Sequence, residues 1–158
     1  MPRDASAAEP SPSSAAQPSP TELLDLAESC SCLAARRIAR AMTRAYDEAL
    51  APSGVRITEL TMLVAGGVAP DAPLSRLAEV LSLDRTTLTR DLKRLEDRGL
   101  LHVVPGEDRR SRVVRLTEEG RDVLANAIPR WRAAQERLGA TAAVTWRDVA
   151  AKVAEATA

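Results

Sequence analysis

Near Gly99 the spacing of apolar residues changes from about 3.6 to 2, and few folds accommodate that change where it falls. Beyond it, Leu101, Val103 and Val104, then Val113, Val114 and Leu116, form two β-prone runs around Pro105-Gly106-Glu107-Asp108-Arg109-Arg110. Two such runs around a polar loop containing Gly predict a β-hairpin. Just before the change, Leu74 to Leu81 predicts a short helix and Ser82-Leu83 a tight turn. Asp84 then caps a helix that runs to Arg98 and is ended by Gly99. Two short helices joined by so brief a turn make a helix-turn-helix. With a hairpin following at once, the expected unit is a winged helix-turn-helix.

The segments around this unit read as helices. Residues 1–19 are dominated by Ala, Ser and Pro without periodicity, and we expect a disordered tail. Ser19-Pro20-Thr21-Glu22 carries the N-cap, first-turn Pro and N3 Glu of a capping box. Apolar residues then recur at three and four through Leu33, Ile38, Met42, Ala45, Tyr46 and Leu50, up to Pro52-Ser53-Gly54. The intervening Ser29-Cys30-Ser31-Cys32 leaves open whether residues 20–50 are one helix or two. Thr58 is expected to cap the next helix, with Gly66-Gly67 and Pro70 stopping it. Thr117 caps a long helix through Val123, Leu124, Ala127, Ile128, Trp131 and Leu138, with a kink or break expected near Ile128 because Pro129 lies inside it. Thr145, with Asp148 at N3, opens a last helix through Val149 and Val153.

The fold class is therefore mainly α with a small β-hairpin, and 158 residues suit one domain. Residues 52–116 form the winged helix-turn-helix. The flanking helices, 20–51 and 117–158, carry apolar stripes that so small a lobe cannot bury, and a homodimer would bury them.

Stepping about 100° per residue from Asp84, Leu88, Leu92 and Leu95 share one face and Thr86, Arg90 and Lys93 lie opposite. Thr87, Thr89 and Arg94 flank that polar face, and Arg85 sits in the first turn, where a helix N-terminus favours phosphate. Arg or Lys can pair with guanine O6 and N7, while Thr offers a hydroxyl to base edges and a methyl to thymine. Over residues 85–115 nine basic residues stand against five acidic ones, a local charge of +4 in a chain whose 22 basic and 22 acidic residues cancel. Concentrated positive charge is the footprint of phosphate binding. A solvated helix face with a charged turn would look the same in isolation; the helix-turn-helix and hairpin on either side favour double-stranded DNA.

Other classes find little support. Aromatic residues are 2% of the chain, too few for the stacking platforms of single-strand binders. His102 is the only histidine and Cys30 and Cys32 the only cysteines, so no metal-ligand spacing exists and neither a metal nor a cofactor is expected. The carboxylates lie mostly among basic residues on polar faces, and we expect no enzyme. No apolar run reaches the length of a membrane span and no secretory signal is visible, so the expected location is the cytoplasm.

The run SRLAEVLSLDRTTLTRDLKRLEDRGL followed by GEDRRSRVVRLTEEG closely resembles the MarR (multiple antibiotic resistance regulator) family of bacterial transcription factors, over roughly residues 30–135. Its wing motif stands here as Asp108-Arg109-Arg110 and its post-wing helix opening as Leu116-Thr117-Glu118-Glu119-Gly120. The resemblance implies an obligate homodimer built from the terminal helices, with a recognition helix in the major groove and a wing in the minor groove. It makes Arg110 the wing-tip arginine, Asp108 the acid that orients it, and Arg112 a nearby phosphate contact. Ser82 stands where the family often has Gly, which implies a different turn conformation. Family members also bind small effectors that loosen DNA binding, although no residue motif for such a pocket is visible here.

Some relatives sense oxidants through cysteines in the dimer helices, which makes Cys30 and Cys32 redox candidates. Within a regular helix they would project about 200° apart, so a disulfide between them needs that turn to unwind. Against this, a free cysteine is more often simply a small buried hydrophobe. His102 reads as a surface or packing residue, Trp131 and Trp146 as packing of the dimer core, and Tyr46 as core or pocket wall. The expected function is a sequence-specific regulator, in the sense of a repressor, acting on a pseudo-palindromic operator and released by a small molecule or oxidant. The alternative is a winged-helix interaction module whose basic face meets an acidic protein.

Overall fold

Capping decides where most elements begin. The computed structural model describes residues 17–108, 110–141 and 146–156. The chain divides into two units, Met1–Ile38 and Ala39–Ala158. In the first, α1 (Pro20–Ser29) opens on the expected capping box: Ser19 Oγ accepts the Glu22 N–H and Glu22 accepts the Ser19 N–H at 2.7 Å. None of its residues is buried, and Leu23, Leu24 and Leu26 are more than half exposed. Cys30 ends α1 with an extended ψ of 102°, so two helices, not one, occupy residues 20–50. The second, α2 (Ser31–Leu50), crosses the boundary between the units. The expected tail lies almost wholly outside the described residues, as do the Thr145 cap and the Trp146 side chain.

The second unit is built on α3 (Ile57–Val68), α4 (Leu74–Val80) and α5 (Arg85–Asp97). A hairpin of β1 (Leu101–Pro105) and β2 (Arg112–Leu116) follows, then α6 (Glu118–Thr141) and α7 (Trp146–Ala156). The strands pair antiparallel from Leu101 against Leu116 to Pro105 against Arg112, and Pro73 makes a single bridge to Val113 from outside. Leu50, Leu63, Leu88, Leu95 and Leu101 are fully buried in one apolar cluster joined by Tyr46, Val114, Ala127 and Ala134. The helical and strand periods of the sequence thus converge on one core.

Three sequence expectations are corrected. Thr58 does not cap α3; Arg56 precedes its first residue, the Glu59 carboxylate accepts the Arg56 N–H at 2.9 Å, and Asp47 reaches from α2 to accept the Ile57 N–H at 2.8 Å. Gly66 and Gly67 do not stop α3 but lie inside it, because the hairpin presses there. A Cβ on Gly66 would stand 2.7 Å from Val114 Cγ1, and one on Gly67 3.2 Å from Leu116 Cδ1. Finally, α6 runs through Pro129 without a break. Packing along its length holds it, since Val123, Leu124, Ala127, Trp131, Ala134 and Leu138 all meet the core cluster.

Candidate nucleic-acid interface

The helix-turn-helix is set by its turn and its cap. Ser82 adopts φ 52°, in the left-handed region that Gly enters most easily. Two residues on, Asp84 caps α5 with both carboxylate oxygens: Oδ1 accepts the Thr87 N–H at 2.8 Å and Oδ2 the Thr87 hydroxyl at 2.6 Å. These bonds from Thr87 hold the Asp84 carboxyl below its ordinary range. Leu88, Leu92 and Leu95 are buried, which turns the opposite face of α5 to solvent.

On that face Arg85, Thr86, Thr89, Arg90 and Lys93 line one open trough of about 570 Å³. The side chains differ in what already holds them. The Arg85 guanidinium and the Thr86 hydroxyl have no partner among the described residues. Thr89 is exposed and donates its hydroxyl to the Arg85 carbonyl at 2.8 Å. Arg90 and Arg94 both lie 3.5 Å from Asp91. Lys93 donates to Asp97 at 2.6 Å, and that bond raises its pKa. Thr87 is half-buried and committed to the cap, apart from the trough.

The wing tip is a tight turn. Asp108 accepts the Arg110 N–H at 3.0 Å with its carboxylate, and its carbonyl accepts both the N–H and the hydroxyl of Ser111 at 2.8 Å. Asp108 therefore fixes the main chain at Arg110, while the Arg110 side chain is exposed. A Cβ on Gly106 would stand 2.4 Å from Ser111 Oγ and 3.1 Å from Val113 Cγ1, so a side chain there would displace the Ser111 hydroxyl. Arg112 donates across the hairpin to the Val103 carbonyl at 2.7 Å. Two arginines counted in the basic segment point elsewhere. Arg98 reaches Glu59 and the Gly54 carbonyl, and Arg115 reaches Asp71 and the Pro70 carbonyl.

Sequence reasoning missed a cavity of about 550 Å³ between α3, α4 and α6. Its walls are mostly apolar, among them Leu60, Val64, Val68, Leu81 and Trp131, with Arg132 at the edge. No local pattern signals it, because its lining comes from three segments of the chain. Trp131 both meets the core cluster and lines this cavity, and Tyr46 is buried and donates its hydroxyl to Gln135. Burial raises the Tyr46 pKa. His102 is exposed on β1. Cys30 is half-buried at the break between α1 and α2, and Cys32 is exposed. Among the described residues no group of three or more potential metal ligands occurs, and no helix is long and apolar enough to cross a membrane.

The MarR family model matches residues 57–111, from α3 to the wing tip. The chain is similar to the M. tuberculosis transcriptional regulator MosR solved in complex with DNA, at 36% identity and TM-score 0.71, over 80% of this chain and 92% of that one. It is similar to the PcaV transcriptional regulator of Streptomyces coelicolor, solved with its natural ligand, at 25% identity and TM-score 0.73, over 84% and 96% of the two chains. The repressor CouR, bound to a 23-mer DNA duplex, shares the fold at 22% identity and TM-score 0.66, over 85% and 94%. No curated protein sequence matches the chain. With its helix-turn-helix, hairpin wing and flanking helices in the order of these regulators, and at 36% identity to MosR over 80% of its length, the chain belongs to the MarR family of transcriptional regulators.

Proposed function

We propose that the protein is a homodimeric repressor whose two α5 helices enter major grooves of a pseudo-palindromic operator about one helical turn apart. The observation that carries this reading is the trough on α5, which presents Arg85, Thr86, Thr89, Arg90 and Lys93 together opposite a buried leucine face. In this reading Arg90 pairs with a guanine and Thr86 and Thr89 meet thymine methyls or base edges. Arg85, Lys93 and Arg94 bear on phosphates, and Thr87 contributes through the cap. Arg110 enters the minor groove on a turn that Asp108 shapes, and Arg112 lies beside a phosphate. MosR, at 36% identity, has been captured on DNA, which supports this assignment.

Residues 52–116 form the DNA-binding lobe and residues 20–51 and 117–158 the dimerisation region. The exposed Leu23, Leu24 and Leu26 of α1 and Val149 and Val153 of α7 are the surfaces that a second copy covers. Bound across a promoter, the dimer blocks transcription; with duplex DNA as its partner it works in the cytoplasm. A largely apolar small molecule in the cavity between α3, α4 and α6 releases it, a reading supported by PcaV, which was solved with its natural ligand.

A second release route runs through Cys30 and Cys32. Because Cys30 is extended, the two thiols escape the opposed projection of a regular helix. One thiolate attacks the distal oxygen of a peroxide, breaking the O–O bond and releasing the proximal oxygen as an alcohol or water. The sulfenic acid so formed condenses with the other thiol to a disulfide, and the distal oxygen leaves as water.

The test is a fluorescence anisotropy titration of duplex from the region upstream of the coding sequence against a shuffled duplex, at two salt concentrations. We expect selective, salt-sensitive binding, and Arg90→Ala should cost about 1–3 kcal/mol and relax one base position. Unchanged affinity in Arg90→Ala would remove α5 from the groove.

A further inference from the structure

Arg98 belongs by sequence to the basic segment, yet at the C-cap of α5 its guanidinium reaches Glu59 and the Gly54 carbonyl and does not line the trough. We infer that Arg98 is a positioning residue that latches the C-terminal end of the recognition helix to the α2–α3 junction, and that it does not contact DNA. The inference rests on the reading of α5 as the recognition helix, and it adds what sets that helix's attitude.

Arg98 is the C-cap of α5, followed by Gly99 at φ 71°. One guanidinium nitrogen, NH1, lies 3.1 Å from Glu59 Oε1, and the other, NH2, donates to the Gly54 carbonyl at 2.7 Å. Both acceptors are held in place. Gly54 closes the turn after α2, its N–H donating to Ala51 O at 3.0 Å. Glu59 divides its oxygens, Oε1 toward Arg98 and Oε2 onto the Arg56 N–H, so one carboxylate caps α3 and anchors α5. Asp47, near the end of α2, caps the Ile57 N–H, and Val55 between them is 3% exposed. The end of α2, the start of α3 and the end of α5 thus meet at Arg98.

A planar fork with two fixed donors can bridge a carboxylate and a carbonyl at once, whereas an ammonium on a flexible stem serves such a site as a point charge. That difference separates a latch from a phosphate contact. A phosphate contact predicts that Arg98→Lys preserves most DNA affinity, that Arg98→Ala lowers the salt slope by about one, and that Glu59→Gln, which frees the arginine, strengthens binding. The latch predicts the opposite in each case. Arg98→Lys and Glu59→Gln both weaken binding by up to about tenfold, the range of a partly exposed ion pair with one charge-assisted hydrogen bond, and the salt slope stays at its parent value.

The experiment begins without DNA. Amide hydrogen exchange at Arg98, Gly99 and Leu100 is measured in the full chain for the parent, Arg98→Lys and Glu59→Gln. Gln retains a carbonyl to cap the Arg56 N–H, so α3 stays folded, which its own amides verify. Faster exchange at these three positions, by several-fold and up to about tenfold, is the expected result. Unchanged exchange overturns the latch whatever the DNA result. Binding is then measured on a duplex selected from a randomised library. If exchange accelerates and no duplex is bound by the parent, the latch stands and the DNA reading falls. If Glu59→Gln tightens binding, Arg98 is a phosphate contact and the inference is wrong.

Discussion

Gly120 is where the start of α6 presses on the end of the recognition lobe, and Gly120→Ala should destabilise the fold through that one contact. A Cβ on Gly120 would stand 2.0 Å from the Leu100 carbonyl oxygen and 3.0 Å from its carbon, and both are main chain. Reaching van der Waals separation needs roughly 1 Å of movement between α6 and Leu100. Leu100 cannot give easily: its N–H donates to Leu95 O at 3.0 Å, and its carbonyl accepts the Thr117 N–H. Thr117 in turn donates its hydroxyl to Gly99 O at 2.7 Å while accepting the Gly120 N–H at 3.0 Å. Overpacking of this kind costs about 1–3 kcal/mol, and each hydrogen bond lost in relieving it about 1 kcal/mol more. Ala gains up to about 1 kcal/mol over Gly from helix propensity. The balance is about 2 kcal/mol of destabilisation, a fall of about 1 M in the urea midpoint if the m value is near 2 kcal/mol/M. Gly139, in the same helix, has nothing within 4 Å of its Cβ position, so Gly139→Ala should stabilise by about 0.4–1 kcal/mol. Urea unfolding at one fixed protein concentration compares the two. If both substitutions raise the midpoint alike, Gly120 is an ordinary helix glycine and the close approach to Leu100 is refuted.

Three further outcomes are expected. The Asp84 carboxyl is lowered below its ordinary 3.8 chiefly by the Thr87 hydroxyl and N–H, so the first turn of α5 is stabilised above that value and loses the stabilisation as pH falls through the lowered folded value; Asp84→Ala should abolish this acid dependence, read from the Thr87 amide resonance. Arg110→Ala should weaken binding to all duplexes alike and lower the salt slope by about one; loss of discrimination at a single base instead would mean that Arg110 reads sequence. Treatment with hydrogen peroxide should lower operator affinity in the parent and not in Cys30→Ser, with one intramolecular disulfide found by mass spectrometry; equal loss in both proteins would exclude the cysteines as the release route.

What was legible in the sequence is what local chemistry determines. The leucines at 88, 92 and 95 announce a helix face because burial follows a four-three spacing, and Ser19, Asp84 and Thr117 announce helix starts because a cap acts within three residues. Gly66 and Gly67 were opaque for a physical reason. Glycine permits both unusual backbone angles and close approach, and only the position of Val114 and Leu116, nearly fifty residues away, decides which use applies. The cap of α3 escaped notice because one of its acceptors, Asp47, arrives from the preceding helix. The charge of the segment was readable, but its direction was not: Arg98 and Arg115 find their anions at Glu59 and Asp71, outside any local window.

Those distant pairs also explain how a chain of zero net charge can present a locally basic face. An acid cancels a base in solution only if it stays near the same surface and remains free to screen it. Here Glu96 is divided, its Oε1 accepting the Val103 N–H at 3.0 Å and its Oε2 lying 4.0 Å from Lys93. Asp108 is folded into the wing turn and Asp84 into the α5 cap. What remains on the recognition face is graded. Arg85 and Arg110 have no anionic partner among the described residues; Arg90 and Arg94 share one acid at 3.5 Å; Lys93 is held at 2.6 Å. Binding must break or share the Lys93–Asp97 contact before that charge reaches a phosphate, whereas Arg85 and Arg110 are available at once. Counterion release should therefore be dominated by the two ends of the interface, the helix N-terminus and the wing tip. Between them Arg90 is better suited to discriminating a base, because its contact with Asp91 already fixes its direction.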